Sequence, residues 1–346
     1  MKKSINFLVL FAFIAALSVF VSGCKKAATV VPPGDNTSLQ ALIASSDSLY
    51  NAAVEGTSVG FYQAGSKAAF KTVIDAAKVV VATSTATQAD IDNVKAQLEA
   101  AKTAFMNKKI QNVSTNGLVA QWLFNGNAKD FTGNGNDGTI ETGNAAFGGG
   151  TPVLTTDRFG NANSAYHFDK GAFIDVPYTS ALNPQQISIS IWVKADVINA
   201  DNRFLGLQSW YGYKFQLDDT NRPFFTAGTA DKSWDHNDAS PLDTLVWYNL
   251  AVTYKSGEMT FYVDGAQVKQ WTDATGALQE VEAGQDLAIG AGASVYADVA
   301  TNYGVTDHII PAAWGGYFIG SIDDLRLYNR VLTPAEVSSI YALEKP

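Results

Sequence analysis

The sequence is poor in the residues that many catalytic and nucleic-acid-binding sites require. It holds one cysteine, Cys24, which excludes an intrachain disulfide and a cysteine-built zinc site. Its three histidines, His167, His236 and His308, are scattered, with no His-Glu-x-x-His pair. No nucleophilic triad is expected, because there is no second cysteine and no serine elbow between a strand and a helix. Lysine and arginine form no cluster and the formal net charge is −9, so a nucleic acid partner would find no surface for its phosphates. Beyond the N-terminal segment no apolar run is long enough to span a bilayer. A Glu-x-Asp-x-x-Glu run, which on a β-sandwich would set two carboxylates about 5–10 Å apart for glycoside hydrolysis, is also missing. Glu280-Val281-Glu282 is the nearest approach.

What is present is a globular composition. Apolar residues make up 47% and aromatics 12%, enough to bury a sizeable core, and 346 residues suffice for about two domains. The N-terminus reads as an export segment over 1–24. Lys2 and Lys3 precede an apolar run from Ile5 to Val21, which ends in Val21-Ser22-Gly23-Cys24. Small residues before a lone cysteine resemble the lipobox of bacterial lipoproteins. That resemblance implies cleavage and lipidation at Cys24, hence a membrane anchor. It implies an outer membrane lipoprotein at the cell surface, with the periplasmic face as the alternative. A cleaved secretory peptide is the other reading. Residues 25–36, with Pro32-Pro33-Gly34-Asp35, read as a tether.

Residues 37–109 lack tryptophan and carry three helical stripes. These are Leu39, Leu42, Ile43, Leu49 and Tyr50; Phe70, Val73, Ile74, Ala77 and Val81; and Ile91, Val94, Leu98, Ala101 and Phe105. Thr87-Gln88-Ala89-Asp90 reads as a capping box, and Ser66 as a candidate cap. A three-helix bundle follows. Gly60-Phe61-Tyr62 and Thr87-Gln88-Ala89-Asp90-Ile91-Asp92 resemble the FIVAR-like helical modules of bacterial surface proteins. Such a segment could bind a partner or simply act as a stalk.

From 112 to 346 the pattern changes to period two with frequent glycine. Val119 to Phe124, Ala165 to Phe168, Ala172 to Val176, Ile187 to Lys194, a hairpin over 245–263, and Leu287 to Ile289 read as short strands. Together they predict an all-β two-sheet jelly-roll sandwich. Near the end, Asp323-Asp324 interrupts an apolar strand. Two adjacent carboxylates there need a cation or several donors. Asp130-Phe131-Thr132-Gly133-Asn134-Gly135-Asn136-Asp137-Gly138 is a tight, oxygen-rich loop, of the kind that a hard cation or an Asn-Gly turn would use. Thr333-Pro334 with Glu336 reads as the start of a closing helix.

Three segments carry a family resemblance. They are Trp122 to Gly138, Trp247 to Gly265, and the order F-x-G-x-I-D-D-x-R-x-Y-N-R-x-L-T-x-x-E-x-x-x-x-Y from Phe318 to Tyr341. They resemble the laminin-G-like, concanavalin A-like lectin/glucanase domains of bacterial surface proteins, over roughly 112–343. The resemblance implies that the first and last strands pair. It also implies a structural calcium ion (Ca2+) held by Asp130, Asn134 and Asp323, with Asn136 and Asp324 beside them; pairing of an aspartate with Arg326 is the alternative.

Two stretches break the strand pattern and read as insertions rich in aromatics and acids. One holds Trp210, Tyr211, Trp234, Asp235, His236 and Asn237; the other, from Tyr296 to Tyr317, holds Trp314 and Tyr317. Aromatic faces stack on a pyranose and carboxylates or amides take its hydroxyls, so these are the candidate carbohydrate-binding residues. Three functions remain open. One is a non-catalytic lectin-like lipoprotein that binds a glycan or a cell-surface protein. The second is an adhesive scaffold with no small ligand. The third is a glycoside hydrolase of the laminarinase-like class.

Overall fold

The computed structural model describes residues 34–143, 145–237, 240–281, 285–292 and 316–346. Cys24, most of the tether, Glu282 and Trp314 lie outside the described residues. The chain opens with three helices, α1 (Thr37–Ala52), α2 (Ser66–Ala82) and α3 (Gln88–Met106). The three apolar stripes meet in one core of Leu39, Ile43, Phe70, Ile74, Ala77, Ile91, Leu98 and Phe105. Tyr62, Phe105 and Phe70 stack in series at its end. Thr87 and Asp90 form the expected capping box on α3. Ser66 does not cap α2. Gly65 holds the N-cap position in a left-handed conformation, and the Glu55 carboxylate takes the Lys67 N–H at 2.7 Å instead.

Fifteen described strands follow in chain order. They are β1 (Leu118–Trp122), β2 (Thr139–Glu141), β3 (Val153–Thr155), β4 (Ala165–Phe168) and β5 (Phe173–Val176); β6 (Ile187–Ala195), β7 (Asn202–Leu207), β8 (Tyr213–Leu217), β9 (Pro223–Gly228) and β10 (Ser233–Asn237); and β11 (Tyr248–Lys255), β12 (Glu258–Val263), β13 (Ala266–Trp271), β14 (Leu287–Ile289) and β15 (Gly320–Tyr328). Helix α4 (Pro334–Glu344) closes the described chain. One sheet runs β13-β12-β11-β6-β15-β4-β3, with β1 also on β15; the other runs β10-β9-β8-β7-β14-β5-β2. The pairings are antiparallel, and the inward residues of both sheets share one core. This is the expected jelly-roll sandwich, and the first and last strands do pair, Gln121 lying opposite Arg326.

The stretch expected as the first insertion is sheet. Residues 202–237 form four of the seven strands in the second sheet. Tyr213-Lys214-Phe215-Gln216-Leu217 alternates with period two, so the signal was there. It was masked because the outward residues of these strands are buried as well as the inward ones.

Helix α4 is buried on nearly every side, which explains why its residues show no single apolar face. One side lies on the outer face of the eight-stranded sheet, where Ala251, Tyr262, Tyr328, Leu332, Val337 and Ile340 form a cluster. Another side meets the helical bundle. Gln63 donates to the Ser338 hydroxyl at 2.7 Å, and the Gln111 N–H donates to the Ser339 hydroxyl at 2.8 Å. The bundle therefore docks on the back of the sandwich, and α4 is the wedge between them. The outer face of the seven-stranded sheet is on the opposite side.

Candidate functional site

The residues expected around a calcium ion come together only in part. Asp130 accepts N–H bonds from Gln121 (3.1 Å), Thr132 (3.0 Å) and Asn136 (3.2 Å), and the Thr132 hydroxyl at 2.7 Å. Burial pushes its carboxyl up, but these bonds outweigh it and hold the group below its usual range. The side chains of Asn134 and Asn136 donate to the Val119 carbonyl at 2.9 and 3.1 Å. Asp323 and Asp324 sit at a β-bulge, where Asp324 takes φ 41° and the register to β6 shifts. On a regular strand the two carboxylates would point apart. The bulge instead brings both to one guanidinium, Arg158, at 2.5 and 3.5 Å. Arg326 pairs with Asp324 at 3.0 Å and with Glu344 at 2.6 Å.

A hard cation needs about six to eight free oxygen ligands. Here the Asp130 carboxylate faces N–H and hydroxyl donors and those of Asp323 and Asp324 face two guanidinium groups, so the three aspartates as arranged do not fit a calcium ion. Among the described residues no group of three or more His, Cys, Asp or Glu side chains could hold a metal. The arginine alternative is the one the geometry carries, with Arg158 as a partner the sequence did not reveal. The network is a seam: the Arg158 Nε donates to the Glu344 carbonyl at 2.8 Å, and the Trp192 indole donates to the Glu344 carboxylate at 3.2 Å.

The expected carbohydrate residues divide between two faces of one sheet. On β10, Asp235 and Asn237 pair with Thr226 and Phe224 of β9, while Trp234 and His236 pair with Ala227 and Phe225, which belong to the core. Trp234 and His236 therefore point inward. There the His236 ring stacks on Trp271 of β13 with centroids 4.4 Å apart. The Trp234 indole donates to the Thr275 carbonyl, and Trp271 donates to the Asn237 carbonyl. Strands β10 and β13 are the edges of the two sheets, so these rings plug the open side of the sandwich. Their stacking and indole hydrogen bonds tie the two sheet edges together rather than lining the outer face.

Asp235 faces outward and is exposed, with the Thr226 hydroxyl donating to it at 2.5 Å. In register beside Thr226 is Lys214, and Gln216 lies beside Phe224. Trp210 leaves the β7–β8 turn and lies over Lys214, whose ammonium is 3.4 Å from the ring centroid. The turn is fixed by Gln208 at φ 44° and by the Tyr211 N–H on the Gln208 carbonyl. Ser233 donates its hydroxyl to the Trp210 carbonyl. Gly228 lets the turn close, because a Cβ there would stand 2.3 Å from the Tyr211 carbonyl oxygen. Trp210 remains 43% exposed and Tyr211 53%. Asn237 is occupied, its side chain donating to Asp218 at 3.1 Å.

Beneath Trp210 the face is polar and closed. Arg203 and Lys214 are each 1% exposed. Arg203 donates to Asp201 at 2.9 Å and to Gln216 at 3.2 Å. Burial lowers the Arg203 guanidinium, against the pull of Asp201 and Asp235. The Gly292 N–H donates to the Gly316 carbonyl, and a Cβ on Gly316 would stand 2.3 Å from Arg203. Tyr317 belongs to the other flank of this face, packed with Phe173, Ala288 and Ala291. Sequence reasoning missed Arg203, Lys214, Thr226 and Phe224. The outer face thus unites Trp210, Tyr211 and Asp235 and leaves Trp234 and His236 behind it. A serine with the elbow spacing also occurs, Ser58 in Gly56-Thr57-Ser58-Val59-Gly60. It lies exposed between α1 and α2, away from any strand-to-helix turn.

A model of the concanavalin A-like lectin/glucanases superfamily matches residues 168–338. No curated protein matches. Among solved structures, domain 4 of AbnA, a GH43 extracellular arabinanase from Geobacillus stearothermophilus solved with arabinotriose, is similar at 22% identity and TM-score 0.49, over 65% of this chain and 98% of that one. The binding domain of Paraclostridial Mosquitocidal Protein 1 is similar at 13% identity and TM-score 0.46, over 65% and 52%. The Ruminococcus gnavus IT-sialidase CBM40 bound to alpha2,3 sialyllactose is similar at 12% identity and TM-score 0.41, over 51% and 96%. Likeness at this level says nothing of a ligand. Two antiparallel sheets around one core form a sandwich consistent with the concanavalin A-like jelly roll that this family model describes over 168–338.

Proposed function

We propose that the protein is a non-catalytic, glycan-binding surface lipoprotein, held to a membrane through Cys24 and presenting the outer face of its seven-stranded sheet. One observation carries this reading. Trp210, an exposed indole, stands beside the exposed Asp235 carboxylate on the face opposite the docked bundle. An indole over a sheet offers a flat apolar surface to a sugar ring, and a carboxylate beside it accepts hydroxyl hydrogen bonds. Lectins are among the proteins the matched family describes. The anchor rests on the N-terminal sequence, and among the described residues no helix is long and apolar enough to cross a membrane. A glycan array with the full chain tests the reading, with Trp210→Ala as the control. Retention of a glycan by the wild type and its loss in the variant is the expected result. Binding to no glycan would sink the reading.

A specific observation favours a second reading, adhesion to a protein. Val197, Ile198, Leu245 and Val246 are all exposed, and the Leu245 N–H on the Ala195 carbonyl ties the two segments together. An exposed apolar patch of this kind suits a protein partner. It would come forward if the array were blank.

A further inference from the structure

The outer-face site contains two cations that its own acids do not fully answer. Arg203 spends Nε on Gln216 and one terminal nitrogen on Asp201. The other terminal nitrogen, Nη1, is fully buried and has no hydrogen-bond partner among the described residues. Lys214 is equally buried, yet its ammonium rests on aromatic faces, Trp210 at 3.4 Å and Phe224 at 5.3 Å. Asp235, the exposed acid, takes its hydrogen bond from Thr226. Buried charges are normally paired and buried N–H groups satisfied, because each unmet one costs free energy. Arg203, paired with Asp201 but with one nitrogen left over, and Lys214, set against aromatic faces rather than a carboxylate, together leave a place for an anion.

We propose that the glycan bound here carries an anionic sugar residue, its carboxylate or sulfate received by Lys214 beside the Trp210 ring, with Arg203 as the second cation behind it. This rests on the glycan-binding reading and narrows it. The ring of the acidic sugar stacks on the exposed side of Trp210 while its charged group is drawn to the ammonium beneath the indole. Asp235 then faces the neutral hydroxyls, and its negative charge at the rim disfavours an anion bound in the reverse orientation. Burial, with Arg203 beside it, lowers the Lys214 ammonium to about 7, against the opposing pull of Asp235 and Asp201. An anion that needs the charged lysine should therefore bind more weakly as pH rises past that point.

Calorimetry on the full chain tests this with three oligosaccharides of equal length: an oligogalacturonate, a sulfated galactan fragment and a neutral galactan fragment. At pH 6 an acidic probe should bind on the order of tenfold tighter than the neutral one. Its affinity should fall about tenfold by pH 8.5, while the neutral probe stays level. Whichever acidic probe binds tells carboxylate from sulfate. Lys214→Met, close in volume and without charge, should erase the acidic preference and its pH dependence, and Lys214→Arg should keep the preference. The melting temperature of each variant shows that it is folded. Equal affinity for acidic and neutral probes at pH 6 would overturn the inference and leave the glycan reading intact. No binding by any of the three would overturn the inference, and with a blank glycan array it would overturn both.

Discussion

Trp210 and Trp234 have the same side chain and opposite tasks, because they lie on opposite faces of one sheet. Trp210 lies above Lys214 and is 43% exposed, so its removal uncovers a site without opening the core. Trp234 packs against the core beside His236 and Trp271 and spends its indole N–H on Thr275. Trp210→Ala should change the melting temperature little and abolish glycan retention. Trp234→Ala should destabilise by about 2–3 kcal/mol, below the full cost of emptying a core tryptophan site because the residue is half-buried. Chemical denaturation and the glycan array on the two variants separate these outcomes. Loss of retention without destabilisation in Trp234→Ala would place the sugar on the wrong face. Sequence reasoning grouped the two because both sit near Asp, Asn and His. Only strand register separates them: a shift of one residue reverses the face. The alternation of Tyr213 to Leu217 could have supplied that register, and with it Lys214. Arg158 gave no comparable signal, since its partners are 165 and 166 residues away.

At the scale of elements, the bulge in β15 and helix α4 form one device. Burial pushes the Glu344 carboxyl up to about 7, with Asp324 adding to the rise and Arg326 opposing it. Burial likewise pushes Asp323 up to about 6, against Arg158. Both carboxyls hold protons more tightly folded than unfolded. Their contribution to stability is therefore greatest at low pH and is lost as pH rises from about 5 to 7. Lys214, lowered by burial, acts with the opposite sign, but its gain comes above pH 7. The melting temperature should thus fall between pH 5 and 7, by an amount on the order of 2 kcal/mol in stability from Glu344. Glu344→Gln should flatten the slope; an unchanged slope would remove this carboxyl from the account. The same device bears on the metal question. With Asp323 and Asp324 on guanidinium groups and Asp130 on N–H donors, a chelator should leave the melting temperature unchanged. Asp130→Ala should lower it by about 1–3 kcal/mol of stability, because its donors would be left unpaired. A chelator-dependent drop would restore calcium. The aspartate pair was legible as something needing a positive partner. Which partner was not, because the carboxylate arrangement depends on a left-handed Asp324 that residue type does not announce.

At the scale of the molecule, the bundle and the seven-stranded sheet lie on opposite sides of the sandwich, and α4 is the joint. The helices and their stripes were readable one at a time from periodicity, but their docking depends on small polar residues, Ser338 and Ser339, that carry no pattern. Gln63 reaches the Ser338 hydroxyl and carbonyl, and the Gln111 N–H reaches Ser339, whose hydroxyl also donates to the Ala335 carbonyl at 2.6 Å. Such a seam holds by fit and hydrogen bonds and tolerates no unpaired charge. Ser338→Arg places a long cation in a residue that is 4% exposed. It should separate the bundle from the sandwich while each keeps its own core. Small-angle scattering should then report a larger radius of gyration, and protease should cut sooner in the junction over 107–117. Glycan affinity should stay the same, because the outer face of the seven-stranded sheet shares no residue with the seam. If affinity fell with the seam broken, the bundle would be part of the binding device; if it held, the bundle would serve as the stalk that turns the sheet away from the membrane.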